Sequence, residues 1–209
     1  MDPAWGMVAQ RPGSGRGSGL EAAFPRALHA DVAAVLAVIP AASLSPARSF
    51  DVSIAGERVR IPYRLYADEP AADAHQDLTL LQQAVLSCIY TRHHDGHVRQ
   101  RHVERIVPQT EDWIAPFVVH LTGEYVLEIV LRIKDELVDI RLPGTARHTV
   151  YGRFAAANPD FITLTSQRSR SGSANVCSFH SPRYARHWAP SAMDVTHISW
   201  MSMFLLASW

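Results

Sequence analysis

Apolar and polar residues alternate along this chain first with a period of two and then, for most of its length, with the period of a helix. Phe50-Asp-Val-Ser-Ile54 and Arg58-Val-Arg-Ile61 both alternate, and Ala55-Gly56-Glu57 between them has the length of a hairpin turn. The spacing predicts a β-hairpin with one wet, Arg-lined face, within about residues 50–66. Pro62 has no N–H for a ladder, so it places the second strand at an edge or ends it. Residues 67–76 are rich in Asp, Glu, Pro, Ala and His and read as a linker.

Helical spacing dominates from Leu78 to Arg141. Leu80, Leu81, Ala84, Val85, Cys88 and Ile89 follow the i, i+3, i+4 rule behind a cap at Asp77 or Thr79, and that helix ends near His93 or His94. A second helix runs from His97 to Val107 and stops at Pro108. A third opens at Glu111 or Asp112 and continues from Trp113 to about Val138, with apolar residues most of the way round, the pattern of a central core helix. It is not a membrane span, because Glu124, Glu128 and Arg132 would each cost about 2.5–3.5 kcal/mol at mid-bilayer. Ala30–Ile39 predicts a short helix before the hairpin, and 147–157 and 160–167 predict two more after Pro143-Gly144.

The expected fold class is therefore mainly α (α+β): a helical bundle or short helical stack with an N-terminal β-hairpin, in one domain over residues 28–168. Residues 1–27 read as a flexible tail, since the first 19 hold five Gly and two Pro. Residues 169–209 read as poorly organised. Asp194 is the only acid after Asp160, Ser becomes frequent, and an altered reading frame of GC-rich DNA is the expected cause.

Composition narrows the function. Twenty basic residues balance 20 acidic ones, which argues against a dedicated nucleic-acid or anionic-membrane binder. Nineteen of the bases are Arg, as a GC-rich genome would favour. Two cysteines cannot staple a chain of 209 residues, and a reducing cytoplasm fits them best.

The densest polar stretch is 92–105, with four His and four Arg. Arg92, His94, Asp95, Arg99, Arg101 and Arg105 are its candidate partner- or anion-binding residues, because guanidinium groups beside a free helix N-terminus suit anions. His93, His94, Asp95 and His97 are metal-ligand types, but no HExxH or CxxC spacing organises them, so no metal and no cofactor is expected. His120, Glu124 and Glu128, at i, i+4 and i+8 with Arg132 a turn further, form a buried polar face. A di-metal site there would also need Glu-x-x-His pairs on other helices, and none occurs. Ion pairing explains the face better, Glu128 with Arg132 and Glu124 with an Arg of the preceding cluster.

Asp95-x-x-Val98-Arg99, followed by Ile106, resembles the second helix of a HEAT repeat, in which the Asp caps the helix and the Arg pairs with acids. The likeness covers Leu78–Val107 in a single copy and implies a helical hairpin. The stretch from Ile61-Pro-Tyr-Arg-Leu-Tyr66 through Arg92–Arg101 to Gly123-Glu-Tyr-Val-Leu-Glu128 is similar to small uncharacterised proteins of GC-rich actinobacteria, which implies no activity. The expected function is a non-catalytic helical scaffold that binds a protein partner, with Arg99, Arg101 and Arg105 on an exposed face. The alternative is an anion- or nucleic-acid-associated module using the same arginines, and an enzyme built on His120, Glu124 and Glu128 comes third.

Overall fold

A computed structural model of the chain describes residues 18–44, 48–124 and 126–178. In order they form α1 (Ser18–Glu21), α2 (His29–Val38), β1 (Ser49–Ile54), β2 (Glu57–Pro62), α3 (Ala72–Gln76), α4 (Leu80–Tyr90), α5 (Gly96–Ile106), α6 (Ala115–Thr122), α7 (Leu127–Glu136), α8 (Ala146–Ala157) and α9 (Pro159–Ser178). The expected class is what is found: a mainly helical chain with a two-stranded antiparallel hairpin ahead of most helices.

Local chemistry explains the boundaries. Ala55 and Gly56 both take positive φ, 49° and 84°, which gives a two-residue turn whose twist matches the strands. Ile54 therefore pairs with Glu57, and one face of the hairpin turns Phe50, Val52, Ile54, Val59 and Ile61 into the core. On the other face Arg58 and Arg60 reach Asp51 at 2.7 and 2.9 Å. Thr79 opens α4 with a reciprocal capping box: its hydroxyl accepts from the Gln82 N–H, and the Gln82 side chain accepts from the Thr79 N–H. Asp95 caps α5 by accepting from the His97 N–H at 2.8 Å.

Four expectations are corrected. The N-terminal tail does not extend to residue 27: Phe24 is buried, stacked on Phe117 with ring centres 5.3 Å apart and edge-on to Trp113. The linker at 67–76 contains α3. The C-terminal organisation does not fade at 169, because α9 continues to Ser178; residues 179–209, and with them most of the frame expectation, lie outside the described residues.

The fourth correction matters most for the site. The predicted helix from Trp113 to Val138 is two helices, α6 and α7, separated at Gly123–Val126. Every residue of α6 is buried, and it packs against α7, α8 and α9, so the hub is the first half alone. In α7 Ile129 and Ile133 are buried, whereas Glu128 and Arg132 face solvent.

Candidate functional site

The break after α6 puts Glu124 at the centre of a ring of cations. The chain leaving β2 runs beside the α4–α5 turn: Leu65 donates its N–H to the Arg92 carbonyl at 2.6 Å and accepts from the His94 N–H at 3.0 Å. That pairing sets Arg64 beside Arg92. Arg64 Nη1 donates to Glu124 Oε1 at 2.8 Å, Arg92 Nη2 lies 3.5 Å from the same oxygen, and Arg99 Nε lies 3.1 Å from Oε2. Arg99, in the first turn of α5, also donates through Nη1 to the carbonyls of His93 and His94, both at 2.9 Å.

His120 completes the cluster from the last turn of α6. Its Nδ1 is 2.5 Å from Arg92 Nη1, and a guanidinium can only donate, so Nδ1 accepts and the ring carries its proton on Nε2. Phe50 of β1 stacks on the imidazole, ring centres 4.6 Å apart, and Tyr63 meets it edge-on at 5.3 Å. Burial, reinforced by the Arg92 charge, pulls the His120 pKa down to about 3. For Glu124 burial works against ionisation, but the contact with His120 and the charges of Arg92, Arg99 and Arg64 prevail, and the carboxyl is held well below the usual range. Since His120 Nδ1 already accepts from Arg92, the guanidinium groups are the physical source of that lowering. Arg92 is fully buried; desolvation, with the like charges of Arg64 and Arg99, brings it down to about 10, still protonated at neutral pH.

A second polar knot lies on α5. His102, nearly inaccessible, donates to Glu69 Oε1 at 2.8 Å, and Arg101 holds the other oxygen of Glu69. Burial, only partly offset by Glu69, lowers the His102 pKa to about 4, so this is a neutral N–H donor bonded to a carboxylate. Tyr90 stacks on the His102 ring at 5.0 Å and donates its hydroxyl to the Asp68 carbonyl. Together these bonds fasten the 67–76 segment over α4 and α5.

The sequence candidates thus divide. Arg92, Arg99, His120 and Glu124 converge, and the expected pairing of Glu124 with an arginine of the 92–105 stretch is present. Arg99 is not on an exposed face; it is buried against Glu124. Arg101 and Arg105 remain at the surface, the first paired with Glu69 and the second 3.5 Å from His75 of α3. His94 and Asp95 are exposed, His94 against the Tyr66 ring and Asp95 as the α5 cap. Glu128 and Arg132 drop out of the buried set: Arg132 meets Glu136, not Glu128, at 3.7 Å. Among the described residues no three His, Cys, Asp or Glu side chains gather as metal ligands.

Protein-family models, curated proteins and solved structures all fail to match this chain. Its chemistry is therefore read from its own residues, and two of these escaped the sequence argument. Arg64 is the closest cation to Glu124; the signal for it is a lone charge inside Ile61-Pro-Tyr-Arg-Leu-Tyr66, where the period-two pattern of the hairpin has ended. Arg168 on α9 donates to the Tyr63 hydroxyl at 3.2 Å and lies over that ring, 5.4 Å from its centre. Nothing in the sequence brings residue 168 to residue 63.

Proposed function

We propose that the chain is a non-catalytic helical domain that binds a protein partner. One observation carries this reading: the side chains placed to move a proton are frozen. A general acid or base needs a pKa near the working pH. Glu124 is held ionised by three guanidinium groups, and burial holds His120 and His102 neutral, at about 3 and about 4. What the cluster does instead is join the segment leaving β2, the α4–α5 turn and the α6–α7 break, which is the work of a scaffold. The capped helix pair α4 and α5 is compatible with the HEAT-like part of the reading. Cys88, a buried free thiol, fits a reducing cytoplasmic setting.

Leu80 and Leu81 supply apolar surface for the partner, in the first turn of α4, where Leu80 is 85% exposed. The nucleic-acid alternative loses support because several surface arginines are spent on local acids, Arg58 and Arg60 on Asp51 and Arg101 on Glu69. The test is a co-purified partner reassembled from pure components and challenged with L80E. The expected result is a complex weakened at least about tenfold with the domain's melting midpoint unchanged. Undiminished binding by L80E overturns the assignment of this face, and proton-transfer turnover that disappears in a folded H120Q variant overturns the non-catalytic reading.

A further inference from the structure

The Glu124 cluster holds more positive charge than it neutralises. Among the described residues, Arg64, Arg92 and Arg99 stand against one carboxylate in contact, Glu124, with His120 uncharged, so two positive charges are left over. The donors are also underused. Arg92 Nε and Nη2 and Arg99 Nε are buried and make no hydrogen bond, since their approach to Glu124 is close but poorly aligned. Burying unpaired cations costs far more than burying apolar groups, and an anion held close to the cluster would offset part of that cost.

The outer side of the cluster is cationic as well. Arg64 is the one cluster member with substantial access to solvent, its side chain 35% exposed against 9% or less for Arg92, Arg99 and Glu124. Its Nη1 also donates to the Tyr63 carbonyl at 2.8 Å, while Arg168 holds the hydroxyl and the ring face of the same tyrosine. α9 passes so near the break that a Cβ on Gly123 would sit 3.5 Å from the Arg168 Cβ. Arg64 thus holds the carbonyl of Tyr63 and Arg168 its hydroxyl and ring, and the Arg168 charge also acts on His120 of the cluster. Asp95 also acts on Arg99, but it is exposed and engaged by the His97 N–H. Glu69 is committed to His102 and Arg101.

We propose that this is a binding site for a doubly charged oxyanion of the phosphate type, held by the solvent-facing guanidinium groups of Arg64 and Arg168 beside Tyr63, with the buried charges of Arg92 and Arg99 adding to the attraction. Guanidinium forks match the oxygens of such a group two at a time, and its two charges offset most of a surplus that is three once Arg168 is counted. Glu124 then serves as a spacer that keeps the arginines apart and aimed. No proton is transferred, so the frozen pKa values are an advantage to the site.

The test is titration of the full chain with inorganic phosphate, and separately with O-phosphoserine, against sodium chloride at matched ionic strength, followed by calorimetry and melting. Phosphate is expected to bind and raise the melting midpoint where chloride does not. R64M is expected to weaken it about tenfold, the worth of one charge-assisted hydrogen bond, and R101M to leave it unchanged. If R64M melts too low for comparison, R168M at the surface carries the same measurement. Stronger binding of O-phosphoserine would show that the group arrives on a partner; stronger binding of inorganic phosphate, that it arrives free. Equal effects of phosphate and chloride, or an unaltered response in both R64M and R168M, overturn the site. L80E tests the interaction reading by a different readout, so either inference can fail alone.

Discussion

The side-chain amide of Asn158 is bonded to both backbone groups of Ser53, accepting from its N–H at 2.7 Å and donating to its carbonyl at 2.9 Å. A third bond, to the Phe154 carbonyl at 2.8 Å, fixes the amide at the end of α8. Asn158 therefore does for the outer edge of β1 what a third strand would do, and it couples the hairpin to the α8–α9 junction. Asn158→Ala leaves a part-buried N–H and carbonyl without partners and is expected to cost about 2–3 kcal/mol. Asn158→Asp keeps the acceptor but sets a carboxylate against the Ser53 carbonyl, and should cost at least as much. Urea denaturation of the two variants checks the order; an Asn158→Ala midpoint equal to that of the wild type would show that the amide is dispensable.

Glu124 is the counter-charge that lets three arginines share one interior. Glu124→Gln keeps the shape and removes the charge, leaving Arg92 and Arg99 buried without the carboxylate they contact. Removing one partner of a buried ion pair typically costs about 3–5 kcal/mol, and with three cations present the upper half of that range is expected at pH 7. Salt should rescue little, because buried charges are poorly screened. Chemical denaturation at low and high ionic strength tests both points, and a midpoint within experimental error of the wild type would show that the ring of arginines does not depend on its carboxylate.

These two sites show where a sequence stops being readable. The hairpin, α2, α4, α5 and α8 were legible because period and punctuation agreed: Thr79 and Asp95 cap where capping residues were expected, and Pro62 closes β2. The break between α6 and α7 was not, since Val118, Leu121, Val126, Ile129 and Val130 keep a helical spacing across it. Periodicity records which side chains want burial, and it does not register a carboxylate drawn toward cations some sixty residues earlier in the chain (Arg64 is the donor). A straight helix would have aligned His120, Glu124 and Glu128; the turn at Gly123 keeps the first two together and sends Glu128 to solvent. In the 92–105 stretch the charges were visible, but Arg92 and Arg99 look the same in sequence as the exposed Arg101 and Arg105. The difference is made by Arg64 and Glu124, which arrive from elsewhere.

Two small residues should respond oppositely to enlargement. Ala55 sits at φ 49°, in the left-handed region that disfavours a Cβ but that Asn tolerates. Ala55→Asn converts the turn to Asn-Gly, the favoured pair for this geometry, and is expected to stabilise by about 0.5–1 kcal/mol. Gly123 has an ordinary φ of −90°, so its need is for space. A Cβ there would lie 3.0 Å from Thr165 Cγ2 and 3.3 Å from the Thr165 carbonyl, and Gly123→Ala is expected to cost about 1–3 kcal/mol by forcing α9 away. Adding Thr165→Ser removes the methyl group and should restore part of the loss. Additive costs in that double-mutant cycle would show that the two residues do not touch.

Acid should destabilise the fold well before its carboxylates titrate. His120 and His102 have folded-state pKa values of about 3 and about 4, both below the ordinary 6.5, because burial penalises their charged forms. The unfolded chain therefore binds protons first as pH falls. The stability that these neutral rings confer is complete above pH 6.5 and is lost as pH drops toward 4, at about 1.4 kcal/mol per pH unit for each ring. Glu124 adds to the decline only below its ordinary value of 4.5, since its own depressed pKa gives stability that is present above that point. Urea midpoints should therefore stay level from pH 7.5 to about 6.5 and then fall toward pH 4.5 with a slope close to two protons from these histidines, and His102→Gln should take away one of them while His120 keeps the other. An unchanged slope in His102→Gln would mean that the ring accepts its proton in the folded state, with Glu69 as a true ionic partner.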